Sequence, residues 1–238
     1  MILKITTLCL FIMVGKTFCQ FLVPVNYNPI YNSSLNPKYN AQINPNFNSQ
    51  INPKFNSQIN PSYNSQINPN YNSQINPKFN SQINPSYNVQ INPEFNVAID
   101  PYYSSWTGYY LFNLNDSLLG LSTMVAGATN QNYFDSYLNY VNYFCSNLAT
   151  GNNIFDLNGN WTGYVMPNSQ GGVNVFDLQG NWFAYGVPAS GTRISVAIVP
   201  SNKKTIVIRK QGVGVFNFKG CVYNFIGQKV KSNEYRLP

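Results

Sequence analysis

IFDLNGNWTGY (residues 154–164) and VFDLQGNWFAY (residues 175–185) are near copies set 21 residues apart, and their reading decides the fold. Each places an aspartate, Asp156 or Asp177, at the first position of a turn and a glycine, Gly159 or Gly180, three residues later. That is the chemistry of a type I turn closed by a left-handed glycine, with the flanking residues paired as antiparallel strands. Weaker copies stand at Phe112, with Asn113 first and Asp116 in the left-handed slot, and at Phe216, with Asn217 and Gly220. Asn and Asp tolerate that slot better than other side chains. The residues around Phe134 sit at the right interval too, but a hairpin there puts Leu138 in the left-handed slot. Tyr133, Phe134, Tyr137, Tyr140, Val141, Phe144, Cys145 and Leu148 instead follow the three-and-four spacing of an amphipathic helix, with Gly151 placed to end it. The spacing predicts one α-helix over about 131–149. A further hairpin is expected over residues 194–210, turning at Pro200, Ser201 and Asn202.

Upstream the chain repeats differently. An Asn-Pro pair recurs every eight residues from Asn28 to Asn92, and Asp100-Pro101 closes the series at ten registers without an insertion. Central units read INPNFNSQ, INPKFNSQ, INPSYNSQ and INPNYNSQ, so each octad offers one isoleucine, one ring four residues later, and otherwise amides and serine. Asn followed by Pro sets the first two positions of a β-turn, so each octad bends at that place. A proline every eight residues excludes an α-helix. Fixing eight residues costs roughly 8–16 kcal/mol of backbone entropy. Burying one isoleucine and one ring returns only about 3–6 kcal/mol. A lone octad therefore cannot fold; either neighbouring units stack as in a solenoid, or the tract orders against a partner. The unbroken register favours stacking. Between residues 28 and 107 only Lys38, Lys54, Lys78, Glu94 and Asp100 are charged, so nothing opposes self-association of an amide-rich tract with spaced rings. Units such as NPSY also match the NPxY peptide of receptor tails, but turn chemistry accounts for them.

Composition changes at Trp106, where glycine, tryptophan and β-branched residues become frequent. The chain divides into a leader (1–19), an Asn-Pro octapeptide array (20–105) and a β-hairpin-repeat domain (106–238). The expected fold class is mainly β: an extended or solenoid-like octapeptide array, then a small domain of repeated β-hairpins with one α-helix. The recurring F-[DN]-x-x-G-x-W-x-x-Y run resembles the four-fold β-flower domain of small bacterial proteins, in which hairpins surround an axis. Octads leading into WTGYYLF (residues 106–112) and FDLNGNWTGY resemble exported bacterial Asn-Pro octapeptide-repeat proteins. These resemblances imply architecture and export, and no activity. The phenylalanines at 112, 155, 176 and 216 are unevenly spaced, which argues against a closed symmetric ring.

Lys4, an apolar run over residues 8–14 and a polar break before Cys19 form the pattern of a cleaved export signal, too short to span a bilayer. Acylation of Cys19 is the second reading, because Lys16, Thr17 and Phe18 are not the small residues a lipoprotein signal needs. No later run is apolar enough for a membrane helix, so the mature chain is expected to be secreted or held at the cell surface, the periplasm or outer surface if the source is bacterial. The chain has no histidine, which removes the usual general base and catalytic metal ligand. It reads as a non-enzyme with no cofactor and no metal. A glycosidase pair of Asp156 and Asp177 is the weakest reading, since the turns account for both.

Trp161, Trp182, Tyr164 and Tyr185 are the candidate ligand-binding residues, able to stack on sugar rings; cross-strand packing with Phe155 and Phe176 is the plainer reading. Without Lys4 and Lys16, twelve cations face seven acids, a net +5, and nine of the cations lie between Arg193 and Arg236. Lys203, Lys204, Arg209 and Lys210 form a basic patch there, a solvated face or a seat for an anionic polymer. Nucleic acid is disfavoured because no aromatics alternate with these cations. Cys145 and Cys221, the only cysteines after the leader, form a disulfide or remain two buried thiols. The leading functional reading is an exported structural or interaction protein whose octapeptide stalk presents the hairpin domain to a protein or cell-surface polymer. The alternative is a carbohydrate-binding module using the hairpin aromatics.

Overall fold

The computed structural model describes residues 18–101, 103–192, 195–199, 207–210, 213–218, 221–224 and 229–230, those after Thr192 by backbone pairing alone. The strands among them are β1 (Phe18–Leu22), β2 (Trp106–Asn113), β3 (Leu118–Met124), β4 (Asn130–Asp135), β5 (Tyr140–Ser146), β6 (Asn152–Asp156), β7 (Trp161–Pro167), β8 (Val173–Asp177), β9 (Trp182–Thr192), β10 (Ser195–Val199), β11 (Val207–Lys210), β12 (Val213–Phe218), β13 (Cys221–Asn224) and β14 (Lys229–Val230). They belong to two compact units, Val23–Ile194 and the pair Met1–Leu22 with Ser195–Pro238.

The smaller unit is a six-stranded antiparallel sheet in the order β1-β10-β11-β12-β13-β14. Its β10 and β11 form the hairpin expected over residues 194–210, with Ser195 opposite Lys210; the turn itself lies outside the described residues. Phe18 and Cys19, the last two residues of the expected leader, pair with Val199 and Ile198. Strands β12 and β13 also pair, but Phe216 lies opposite Tyr223, seven residues on. Phe112, Phe134, Phe155 and Phe176 each lie opposite the residue six on, so Phe216 is not a fifth member of that series.

The larger unit contains a closed barrel of eight antiparallel strands, β2 through β9 in sequence order, with β9 pairing back onto β2. Closure removes both sheet edges. Four like turns at one rim repeat the chemistry read from the sequence. Asp156 Oδ1 accepts the N–H groups of Asn158 and Asn160, and Gly159 takes the left-handed conformation at φ 77°. Asp177 and Gly180 do the same, as do Asn113 and Asp116.

The fourth turn overturns the expected helix. Residues 131–149 run through β4, a turn and β5, and among the described residues there is no α-helix. Asp135 caps that turn through the N–H groups of Tyr137 and Asn139, while Leu138 occupies the left-handed slot at φ 65°. A left-handed side chain costs about 1–2 kcal/mol, which two capping bonds and a full strand pairing outweigh. Both faces of these strands are buried, so their apolar residues do not alternate, and a doubly buried strand pair mimics helical spacing. With Phe134 in place of Phe216 the copies stand at 112, 134, 155 and 176, an even series, and the ring is closed after all. The lumen is filled from all eight strands by Leu111, Phe144, Ile154, Val165, Val173, Val175 and Ala184, with Tyr109, Leu119 and Tyr133 against them.

Candidate functional site: the belt and its outward rings

Asparagine chemistry shapes each octad, and it bends the chain twice rather than once. The Asn44 carbonyl accepts from the N–H groups of Phe47 and Asn48, both at 3.0 Å, and Asn44 Oδ1 accepts from Asn46 at 2.9 Å. Asn48 then caps a second turn, its Oδ1 accepting from Gln50 at 3.1 Å and its carbonyl from Ile51 at 3.3 Å. The two amide groups reach back, Asn44 Nδ2 to the Pro37 carbonyl at 2.9 Å and Asn48 Nδ2 to that of Gln42 at 2.8 Å. Backbone–backbone bonds within the array span at most four residues, so octads do not stack through their backbones.

The barrel supplies what stacking does not. Alternate residues of the barrel strands point away from the lumen, and these meet the array. Asn174 Nδ2 donates to the Ile43 carbonyl at 3.1 Å, Asn153 to that of Ile67 at 3.0 Å, and Asn132 to that of Ile91 at 3.1 Å. The array advances 24 residues, three octads, while the barrel steps back 21, one hairpin. At the rim Lys54 Nζ donates to Asn181 and Lys78 Nζ to Asn160, both at 2.9 Å and with the same two steps. Lys38 forms an ion pair with Asp116 at 2.8 Å. Ile67 packs with Tyr164, Met166 and Phe176, and Ile83 against Tyr143, Cys145 and Phe155.

These contacts trace one circuit. The array starts at β2, where the Tyr27 ring meets Tyr110 at 5.8 Å, and passes β8, β6 and β4 in turn. It ends beside β3, where Ala98–Pro101 and Thr123–Met124 share the walls of a cleft of about 330 Å³. The octapeptide tract is therefore a belt around the barrel. The expected stalk, extended or solenoid-like, is not formed, because the isoleucine face finds its partner in the same chain.

The belt covers two of the four aromatics singled out in the sequence. Tyr164 and Tyr185 are 1% and 2% exposed and stack on Phe176 and Phe112 at 5.5 and 5.7 Å. Trp161 and Trp182 are half-buried against belt-facing clusters and donate their indole N–H to the carbonyls of Gly163 and Ala184, both at 2.8 Å. Asp156 and Asp177 are occupied as turn caps. Burial raises each carboxyl, but bonds from Asn160 and Asn158, or from Asn181 and Gln179, hold it below its ordinary value. Lys203 and Lys204 lie outside the described residues; Arg209 and Lys210 lie on β11, with side chains outside them as well. Cys145 is a free thiol whose Sγ donates to the Ile83 carbonyl at 3.5 Å and accepts from Asn130 at 3.4 Å. Burial pushes that thiol well above its ordinary pKa. Cys221 lies on β13, its side chain outside the described residues.

From the octad's composition the ring is expected in the core along with the isoleucine. The structure separates them. Ile43, Ile51, Ile67, Ile75 and Ile91 are 1–9% exposed, whereas Tyr39, Phe47, Phe55, Tyr63, Tyr71, Phe79, Tyr87 and Phe95 are 71–78% exposed. The available signal was phase: the ring follows isoleucine by four residues, one full turn unit, and so faces away. Exposed Ser and Gln side chains lie between successive rings over most of the belt. No protein-family model matches this chain, and no curated protein or solved structure matches it.

Proposed function

We propose that this is an exported, non-enzymatic interaction protein that holds its partner, at the cell surface or outside the cell, on the outward face of the belt. The observation that carries this reading is the display of eight large rings, one per octad at a fixed phase, each about three-quarters exposed. Folded chains ordinarily cover such rings, and repeated exposed apolar groups mark interaction surfaces. Export is supported by the leader pattern and by the resemblance to exported octapeptide-repeat proteins. Among the described residues no helix is long and apolar enough to cross a membrane. The absence of histidine and the use of Asp156 and Asp177 as turn caps support a role without catalysis.

The test compares the mature protein with a variant carrying Phe47→Ser, Phe55→Ser, Tyr63→Ser and Tyr71→Ser in co-sedimentation with isolated cell envelopes. The four rings make little packing, so the variant should keep the wild-type circular dichroism and lose envelope binding. Equal binding by the two proteins rejects the belt as the interaction face.

A further inference from the structure

We infer that the partner of the belt is a neutral polysaccharide built of pyranose units with equatorial substituents, such as a β-linked glucan or chitin; this rests on the belt being the binding face. Of the eight rings that are 71–78% exposed, four are tyrosine and four are phenylalanine. A hydroxyl is therefore dispensable there, and the flat face of the ring is the common element. A pyranose of this class presents C–H bonds on both faces and hydroxyls around its edge. The first complements an aromatic face, and the second complements amides, which donate and accept hydrogen bonds.

The surroundings match that division. Between the rings the exposed side chains are mostly Ser, Gln and Asn, for example Ser49-Gln50, Ser57-Gln58 and Ser65-Gln66. A protein partner would favour a continuous apolar patch with a dry centre, and polar side chains interrupt this surface at every octad. Charge points the same way. Lys38 is paired with Asp116, Lys54 and Lys78 reach to amides of the barrel rim, and these three stand 16 and 24 residues apart, so the belt gathers no cluster of cations for an anionic polymer. Platforms repeated at a fixed period suit a ligand that is itself periodic, and several weak contacts along one chain add as avidity.

The experiment uses the mature full-length protein with particulate cellulose and chitin in pull-down, at low and high salt. Wild type should bind at least one of them at both salt concentrations, a two-ring variant (Phe55→Ser, Tyr63→Ser) should bind less, and the four-ring variant should lose about tenfold or more in affinity. A parallel arm uses envelopes digested with endo-acting β-glucanases and chitinase together, or with protease. Loss after the glycosidases and survival after protease supports the polysaccharide. Ring-dependent envelope binding that survives the glycosidases and is lost to protease keeps the belt as interaction face and overturns the polysaccharide. Unchanged envelope binding by the four-ring variant sinks both readings. Ring-dependent dimerisation in analytical ultracentrifugation, without binding to either particle, makes a second copy of the chain the partner and also overturns the inference.

Discussion

Asn153→Asp alters one atom at the fastening between belt and barrel. Asn153 is fully buried, its Nδ2 donates to the Ile67 carbonyl at 3.0 Å, and its Oδ1 has no hydrogen-bond partner. At neutral pH the substitution removes the donor and sets a carboxylate against a carbonyl oxygen. Losing a buried hydrogen bond costs about 1–3 kcal/mol, and the unpaired charge adds several more. A total of roughly 4–6 kcal/mol, at about 2–4 °C per kcal/mol for a unit of this size, lowers the melting temperature by about 8–24 °C. The effect has a pH signature. Burial raises the folded-state pKa of the introduced carboxyl above its unfolded value of about 3.9, so the charge penalty is absent below that value and grows as pH rises through the folded pKa. The protonated carboxyl can also donate to Ile67 and restore the bond. The carboxyls of Asp116, Asp156 and Asp177 are held below their ordinary values, so wild type keeps their contribution down to about pH 4.5. Thermal melts by circular dichroism should therefore show a large gap from wild type at pH 7 and a much smaller one at about pH 4.5. For Asn153→Ala the gap should be the same at both. A variant that melts with wild type at neutral pH, or whose gap ignores pH, refutes the fastening.

Three further outcomes test other parts of the structure. Leu138→Gly relieves a left-handed side chain and should raise the melting temperature by a few degrees, since about 1–2 kcal/mol of strain outweighs about 0.5–1 kcal/mol of added chain entropy; a drop would mean that Leu138 packing dominates. Burial acts to raise the Asp116 carboxyl, yet bonds from Lys38, Tyr185 and Asn36 hold it below its ordinary value. Its stabilisation is thus present above the unfolded pKa and lost as pH falls through the folded one, and Asp116→Asn should melt with a shallower pH dependence between about pH 4.5 and 3. Cys145 lies beneath Ile83, so its alkylation, mapped by mass spectrometry, should be slow in the native protein and faster in Ile83→Ala; equal rates would show that the belt does not guard it.

What the sequence determined by itself is the set of interactions that close within a few residues. Asp156 with Gly159 and Asp177 with Gly180 specify their turns because the cap, the left-handed residue and the bulge all lie in one short run. Asn-Pro specifies the first turn of every octad for the same reason, and both periods could be counted directly. The tertiary structure decided whatever depends on a partner far away in the chain. Residues 131–149 imitate a helix because the lumen takes one face of β4 and β5 and the belt takes the other, and neither neighbour is visible locally. Closure requires β9 to find β2, as Tyr110 finds Val187, a pairing that no local pattern encodes. The belt is the clearest case. Its entropy cost showed that an octad needs a partner, but three octads match one hairpin only once Ile43, Ile67 and Ile91 are set against Asn174, Asn153 and Asn132. That match turned the isoleucines inward and left the rings outside, so the candidate binding surface arose from the half of each octad for which the barrel has no use.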